Sequence, residues 1–249
     1  MLFVSYQFPP VGGAGVQRPA KFAKFLREFG WDVSVLMAAN PSVPVLDESL
    51  LADLPDDLVI EKARTWEPGY AVKRGLGQST SGGTSSRGGW KRTLLAPVRR
   101  AMRFAVGIVL QPDPQLLWLP NAYRSGLALL RRLRHDVIFA TSPPYTNLIL
   151  GTLLSRRTGL PLVVDFRDEW DISGQYLENS QRDWFSRMIQ RRMQRWVLRH
   201  ANAIVATTQA STSAVAARAA EAGSRAESLC IYNGFDPGDF LGEAVGNGQ

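Results

Sequence analysis

The sequence predicts an α/β fold: a parallel sheet with helices on both faces. Three observations point there. Short apolar runs alternate with longer stretches of helical period. Several of the runs, such as Val137–Ala140 and Leu162–Val164, are continuously apolar, as strands covered on both sides should be. And the first run enters a glycine-rich turn that opens a helix. In order, the expected strands are Leu2–Gln7, Asp32–Leu36, Leu58–Glu61, Asp136–Ala140, Leu162–Asp165, Ala203–Ala206 and Ser228–Ile231. Residues Val16–Phe29 carry Phe22, Phe25, Leu26 and Phe29 at helical spacing, with Gly30 as the stop. Further helices are expected over Asn121–Arg134, Tyr145–Thr158, Gln181–His200 and Thr208–Ala222. The segment 69–89 is rich in Gly, Ser and Thr and is expected to be a mobile surface loop. After it, 94–110 mixes leucines and valines with Arg99, Arg100 and Arg103 between Pro97 and Pro112, which predicts a basic, apolar helix.

Composition narrows the function classes. A chain of 249 residues with 45% apolar content can bury a substantial core. A single cysteine, Cys230, excludes an intramolecular disulfide framework, and with two histidines it leaves no zinc constellation, so no metal is expected. Leu2–Phe8 lacks a basic flank and runs into Pro9-Pro10, so it reads as a strand and not as a signal peptide. No apolar run approaches the ~20 residues of a membrane span. These features predict a cytoplasmic chain, with the inner face of the plasma membrane as a candidate location. The formal charge of +7 is concentrated: Arg87–Arg134 holds ten basic residues against one acid, Asp113. Such a patch suits an anionic partner, and 94–110 is the segment expected to meet an anionic membrane. No nucleic-acid-binding module accompanies the charge, so no nucleic-acid partner is expected.

The turn Phe8–Pro19 offers Gly12, Gly13 and Gly15 between a strand and a helix. There, backbone N–H groups and the helix dipole can hold a phosphate, although a plain tight connection would use the same residues. A nicotinamide site is disfavoured: the third glycine of that fingerprint is replaced by Arg18, and Met37–Asn40 supplies no ribose-binding acid. Asp165, Arg167, Asp168 and Glu169 crowd charge at another strand end, where ligands bind in open α/β sheets. They serve either a ligand or an ion-pair cluster that fixes the loop. His135 and His200 fall at helix ends and read as C-terminal caps. In the helix 181–200, Trp184, Phe185, Met188, Ile189, Trp196 and Val197 read as the core face, and Arg187, Arg191, Arg195 and Arg199 as a solvated one.

Several segments together resemble glycosyltransferase family 4, in a bacterial subgroup acting on polysaccharide and lipid-linked glycans. They are Phe8–Arg18 with Phe22–Val33, Asn40–Leu51, Thr141–Pro144, Asp165–Trp170 and Asn233–Asp236, five motifs in register over nearly the whole chain. The resemblance implies the N-terminal, acceptor-side half of a GT-B architecture, a Rossmann-like domain over 1–240 with a disordered tail at 241–249. It implies a retaining, metal-independent transfer from a nucleotide sugar, with no further cofactor, to a glycan or lipid-linked acceptor. Gly12, Gly13 and Gly15, with Arg18 as a helper, would approach the donor diphosphate. Arg167, Asp168 and Tyr145 would meet the acceptor, with Asp168 and Tyr145 as the catalytic candidates. Tyr145 stands where the subgroup commonly carries a histidine facing acceptor and sugar; a phenol, with pKa near ~10, cannot titrate as imidazole does. The donor half, with its pair of glutamates seven residues apart, is not expected in this sequence. The chain alone is therefore expected not to transfer sugar. Half of a split transferase, or a non-catalytic acceptor- or membrane-binding module, are the alternatives.

Overall fold

The computed structural model describes residues 1–43, 45–69, 110–170 and 184–241. Seven strands form one parallel sheet: β1 (Leu2–Val4), β2 (Ser34–Ala38), β3 (Val59–Ala63), β4 (Ile138–Ser142), β5 (Leu162–Phe166), β6 (Ala203–Ala206) and β7 (Glu227–Cys230). Their order is β3-β2-β1-β4-β5-β6-β7, so the chain reverses its direction of travel between β1 and β4. That reversal opens a crevice at the carboxyl edge, the ligand-binding position of open α/β sheets. All seven expected strands are present, with β2 and β4 displaced two residues towards the C-terminus.

Among the described residues six α-helices accompany the sheet: α1 (Ala14–Phe25), α2 (Leu119–Arg132), α3 (Thr146–Thr158), α4 (Trp184–His200), α5 (Gln209–Glu221) and the short α6 (Gly238–Leu241). The helix expected over 16–29 starts earlier and tightens into a 3₁₀ turn at Leu26–Phe29, which Gly30 ends in a left-handed conformation (φ 78°). The expected loop 69–89, helix 94–110 and tail 241–249 lie, apart from Gly69, Leu110 and Leu241, outside the described residues.

Side chains alternate across the sheet. Leu2 and Val4 face a core shared with Trp118, Leu129, Leu148, Leu150, Val197, Leu198 and Val215, which come from or adjoin α2–α5. Phe3 faces the other way, into a core with Phe8, Val35, Met37, Phe139 and Ala23 of α1. There Phe3 stacks on Phe139 with centroids 4.9 Å apart, and Phe22 meets Phe139 edge-on at 5.6 Å. On the opposite face α3 lies tight against β4. A Cβ added to Gly151 would sit 2.8 Å from the Ala140 Cβ, so only glycine permits this approach.

One expected face is only partly right: Val197 is buried and Trp196 packs against the core, but the rest of the expected stripe is not the buried one. The buried stripe of α4 is Ser186, Gln190, Gln194, Val197 and Leu198, while Trp184 is 68% exposed. The helix is rotated because Gln190 is bonded into the core: its Oε1 accepts from Trp170 Nε1 at 3.0 Å, and its amide donates to Gln111 Oε1. Partners so distant in sequence leave no periodic trace in the helix itself.

Candidate functional site

Four of the turns singled out in the sequence stand at the carboxyl edge. The first follows β1. Its backbone is braced by Gly12 N donating to Val45 O (3.1 Å) and Asp47 N to Pro10 O (2.7 Å). A Cβ on Gly12 would meet Val45 Cγ1 at 2.9 Å, so this glycine serves packing against the 45–47 segment. Gly13 has φ 105° and nothing within 4 Å of where its Cβ would stand; it is needed for its conformation and faces open space. Gly13, Ala14 and Gly15 are exposed. α1 begins here with no side-chain cap and no acid in its first turn, which leaves first-turn N–H groups available to an anion.

The turn after β5 is knitted onto this one by Arg167. Its Nε donates to Ser142 O (3.0 Å), one terminal nitrogen to Pro143 O (2.6 Å) and the other to Gly15 O. One guanidinium thus joins the turns after β1, β4 and β5, and three of its five N–H groups are engaged. Burial pulls its pKa down, and Asp165 and Asp168 act against that. Next to it Asp168 is exposed, and no hydrogen bond holds its carboxylate among the described residues. The first turn of α1, Arg167 and Asp168 therefore stand side by side at one surface.

Two expected site residues are placed otherwise. Arg18 does not face the open edge. Its Nη2 lies 2.8 Å from Asp165 Oδ1 and its Nε 3.2 Å from Oδ2, the carboxylate being fully buried and also bonded by Thr141 Oγ1 at 2.7 Å. The other terminal nitrogen reaches Ile231 O (2.9 Å), Tyr232 O (3.3 Å) and Asn233 Oδ1 (3.1 Å). Arg18 is a structural pin between α1, β5 and the chain leaving β7. Tyr145 is 1% exposed, stacked on Trp170 at 4.5 Å, and its hydroxyl donates to Asp168 O at 3.2 Å. It positions Asp168 and does not itself present a hydroxyl to a ligand. The reason in both cases is burial, which a linear motif does not reveal.

Glu169 is likewise engaged, accepting from Ser211 Oγ (3.0 Å) and Arg218 (3.2 Å) of α5. Lys21 and Lys24 of α1 bind Asp236, each at 2.8 Å, as well as Asp53. These hydrogen bonds, first from Lys21 and then from Lys24, hold the Asp236 carboxyl far below the usual range. Asp53, Asp236 and Asp239 converge closely enough to suggest a cation site, but the lysine ammonium groups already stand among them. Both histidines bond helix-end carbonyls, His135 to Leu133 O (2.9 Å) and His200 to Trp196 O (2.8 Å). Sequence reasoning missed Asp113: buried, it accepts from Thr146 N (3.1 Å) and Oγ1 (2.6 Å) and so caps α3 from 33 residues away.

The family model for the glycosyl transferase 4-like domain matches residues 12–231. The chain belongs to that family. Among solved structures the domain is similar to sucrose-phosphate synthase from Thermosynechococcus elongatus (12% identity, TM-score 0.53), over 94% of this chain and 48% of that one. It is also similar to Anabaena Alr3699/HepE in complex with UDP-glucose (18% identity, TM-score 0.49), over 94% of this chain and 44% of that one. It thus spans about half the length of these proteins. No curated protein matches it. Among the described residues, no helix is long and apolar enough to cross a membrane.

Proposed function

We propose that this domain forms the acceptor side of a retaining, metal-independent glycosyltransferase that draws on a nucleotide sugar. The observation that carries this reading is the convergence, through Arg167, of α1's uncapped first turn with the exposed carboxylate of Asp168. The donor diphosphate lies against the N–H groups of Gly13–Gly15 and the helix dipole, which stabilise the charge that grows on the leaving group. The two N–H groups of Arg167 not bonded within the fold add to that field. Asp168, held at its carbonyl by Tyr145 and at its neighbour by the Arg167 clamp, accepts a hydrogen bond from an acceptor hydroxyl and orients it. Glycan and lipid-linked glycans of bacterial polysaccharide synthesis are the acceptor class that fits the family subgroup. The remaining donor contacts come from a second domain, so the chain alone transfers no sugar and binds nucleotide sugars weakly at best. The anionic-membrane contact ascribed to 94–110 belongs to this reading as well; deleting that segment should abolish salt-sensitive binding to anionic vesicles.

The test is acceptor capture. A panel of glycans and lipid-linked oligosaccharides is screened against the chain and against Asp168→Asn. The proposal expects at least one acceptor to bind and the variant to bind it about tenfold more weakly, the size of one hydrogen bond to a charged group. Equal binding by both proteins overturns Asp168's role, and rapid sugar transfer by the chain alone overturns the division of labour.

A further inference from the structure

Helix α4 carries five arginines and no acid in 17 residues. Arg187, Arg191, Arg195 and Arg199 recur every fourth position, so like charges are stacked along one stripe, an arrangement that destabilises a helix. None of these, nor Arg192, lies within salt-bridge distance of a carboxylate among the described residues. Helix-dipole complementarity accounts for Arg199 and His200 in the last turn, but not for Arg192 and Arg195 further up.

These residues line a cavity. It measures about 490 Å³ and is bounded by Met188, Arg192, Arg195, Trp196, Arg199 and His200, within the ~300–1,000 Å³ of small-molecule sites. Two of its guanidiniums are positioned. Arg199 Nε donates to Ala222 O at 3.0 Å and Arg195 Nη2 to Glu221 O at 3.4 Å, both carbonyls at the C-terminal end of α5. Each bond fixes the plane of the fork while leaving the other N–H groups free. The indole of Trp196 is held between His200, at 5.4 Å, and Arg156 of α3, whose guanidinium carbon lies 6.0 Å from its ring. The place in the fold is also distinct. Only two residues separate His200 from β6, so this end of α4 stands at the amino edge of the sheet, opposite the crevice. There the C-terminal ends of α2 and α3 add Arg131, Arg132, Arg156 and Arg157.

We propose that this cavity is a second anion site, which takes a phosphomonoester or diphosphate group. Arg192, Arg195 and Arg199 supply the forks that suit such oxygens, and Met188 and Trp196 supply the apolar part of the wall. The phosphate group is carried by a soluble molecule or by a lipid headgroup. The site does not depend on the transferase reading.

The test uses the whole chain, with inorganic pyrophosphate as one probe and vesicles containing phosphatidic acid, a phosphomonoester lipid, against phosphatidylcholine controls, as the other. Two variants are compared: Arg192→Glu alone, and Arg192→Ala with Arg195→Ala, with circular dichroism confirming the fold. The expected result is saturable pyrophosphate binding that changes Trp196 fluorescence and weakens at least tenfold in both variants. Trp196→Phe removes the fluorescence change. If the phosphatidic acid vesicles bind in a part that pyrophosphate displaces and that the variants lose, the group is a headgroup; pyrophosphate binding without any such displaceable vesicle binding assigns a soluble ligand. Unchanged pyrophosphate binding in both variants, or no binding of either probe by the parent chain, overturns the proposal.

Discussion

Replacing Arg18 with methionine separates its structural role from the phosphate-binding role that its place in the motif suggests. The change keeps an apolar stem of similar length over Phe22, above whose ring the guanidinium carbon now lies at 4.6 Å. It deletes two of the three hydrogen bonds received by the Asp165 carboxylate, whose exposure is 0%, leaving only Thr141. Breaking a buried pair by removing one partner costs about 3–5 kcal/mol, because the remaining charge is stranded. In a domain of this size ~1 kcal/mol moves the melting temperature by roughly 2–4 °C, so the expected fall is about 6–20 °C. The assay is thermal and urea unfolding of the parent, Arg18→Met, Asp165→Asn and the double variant. Asp165→Asn should cost less than Arg18→Met, since Arg18 keeps its carbonyl partners at Ile231 and Tyr232. The double variant should recover ~1 kcal/mol or more relative to Arg18→Met, as no unpaired charge stays buried. A loss below ~1 kcal/mol for Arg18→Met, the value of a surface pair, would refute the reasoning. So would a double variant no better than the single.

Gly151→Ala should destabilise by about 1–3 kcal/mol in chemical unfolding, because the new methyl meets the Ala140 Cβ at 2.8 Å and neither element can retreat without opening the core. Tyr145→Phe should cost only about 0.5–1.5 kcal/mol, the hydrogen bond to Asp168 O, while the stacking on Trp170 survives. Its effect on acceptor capture should be smaller than that of Asp168→Asn. Asp236 has a folded-state pKa below its unfolded value, so its pairing with Lys21 and Lys24 stabilises fully above the usual carboxylate value of ~3.9 and is lost as pH falls below it. Protection of the Ile231–Asp239 amides relative to their intrinsic exchange rates should accordingly be constant from neutrality to about pH 5 and fall below about pH 4.

The inner strands were readable from the sequence because burial on both faces makes them largely apolar, whereas the partly exposed edge strands β3 and β7 keep Glu61, Lys62, Glu227 and Ser228 and were legible mainly from their alternation with helices. The turns were readable because their chemistry is local: Gly13 needs its φ of 105° whatever surrounds it. What escaped was set by partners remote along the chain. Arg18 and Asp165 are 147 residues apart, and only the meeting of α1 with β5 turns the motif arginine inward. Tyr145 is buried by Trp170, and α4 is turned about its axis by Gln190 and its bonds to Trp170 and Gln111. Asp113 is a helix cap that no rule of spacing would find. The site was legible as a set of turns, but the division of its residues into exposed and structural was not.

The measurement that tests the central claim most directly is amide chemical-shift mapping of the chain titrated with a panel of nucleoside diphosphates and their sugars, in the background of Arg192→Ala with Arg195→Ala. With at least one nucleotide, the shifts should concentrate on the amides of Gly13–Val16 and on Arg167 and Asp168, at millimolar concentrations. Silence of those amides with every nucleotide, or shifts of equal size spread over the domain, would contradict the account.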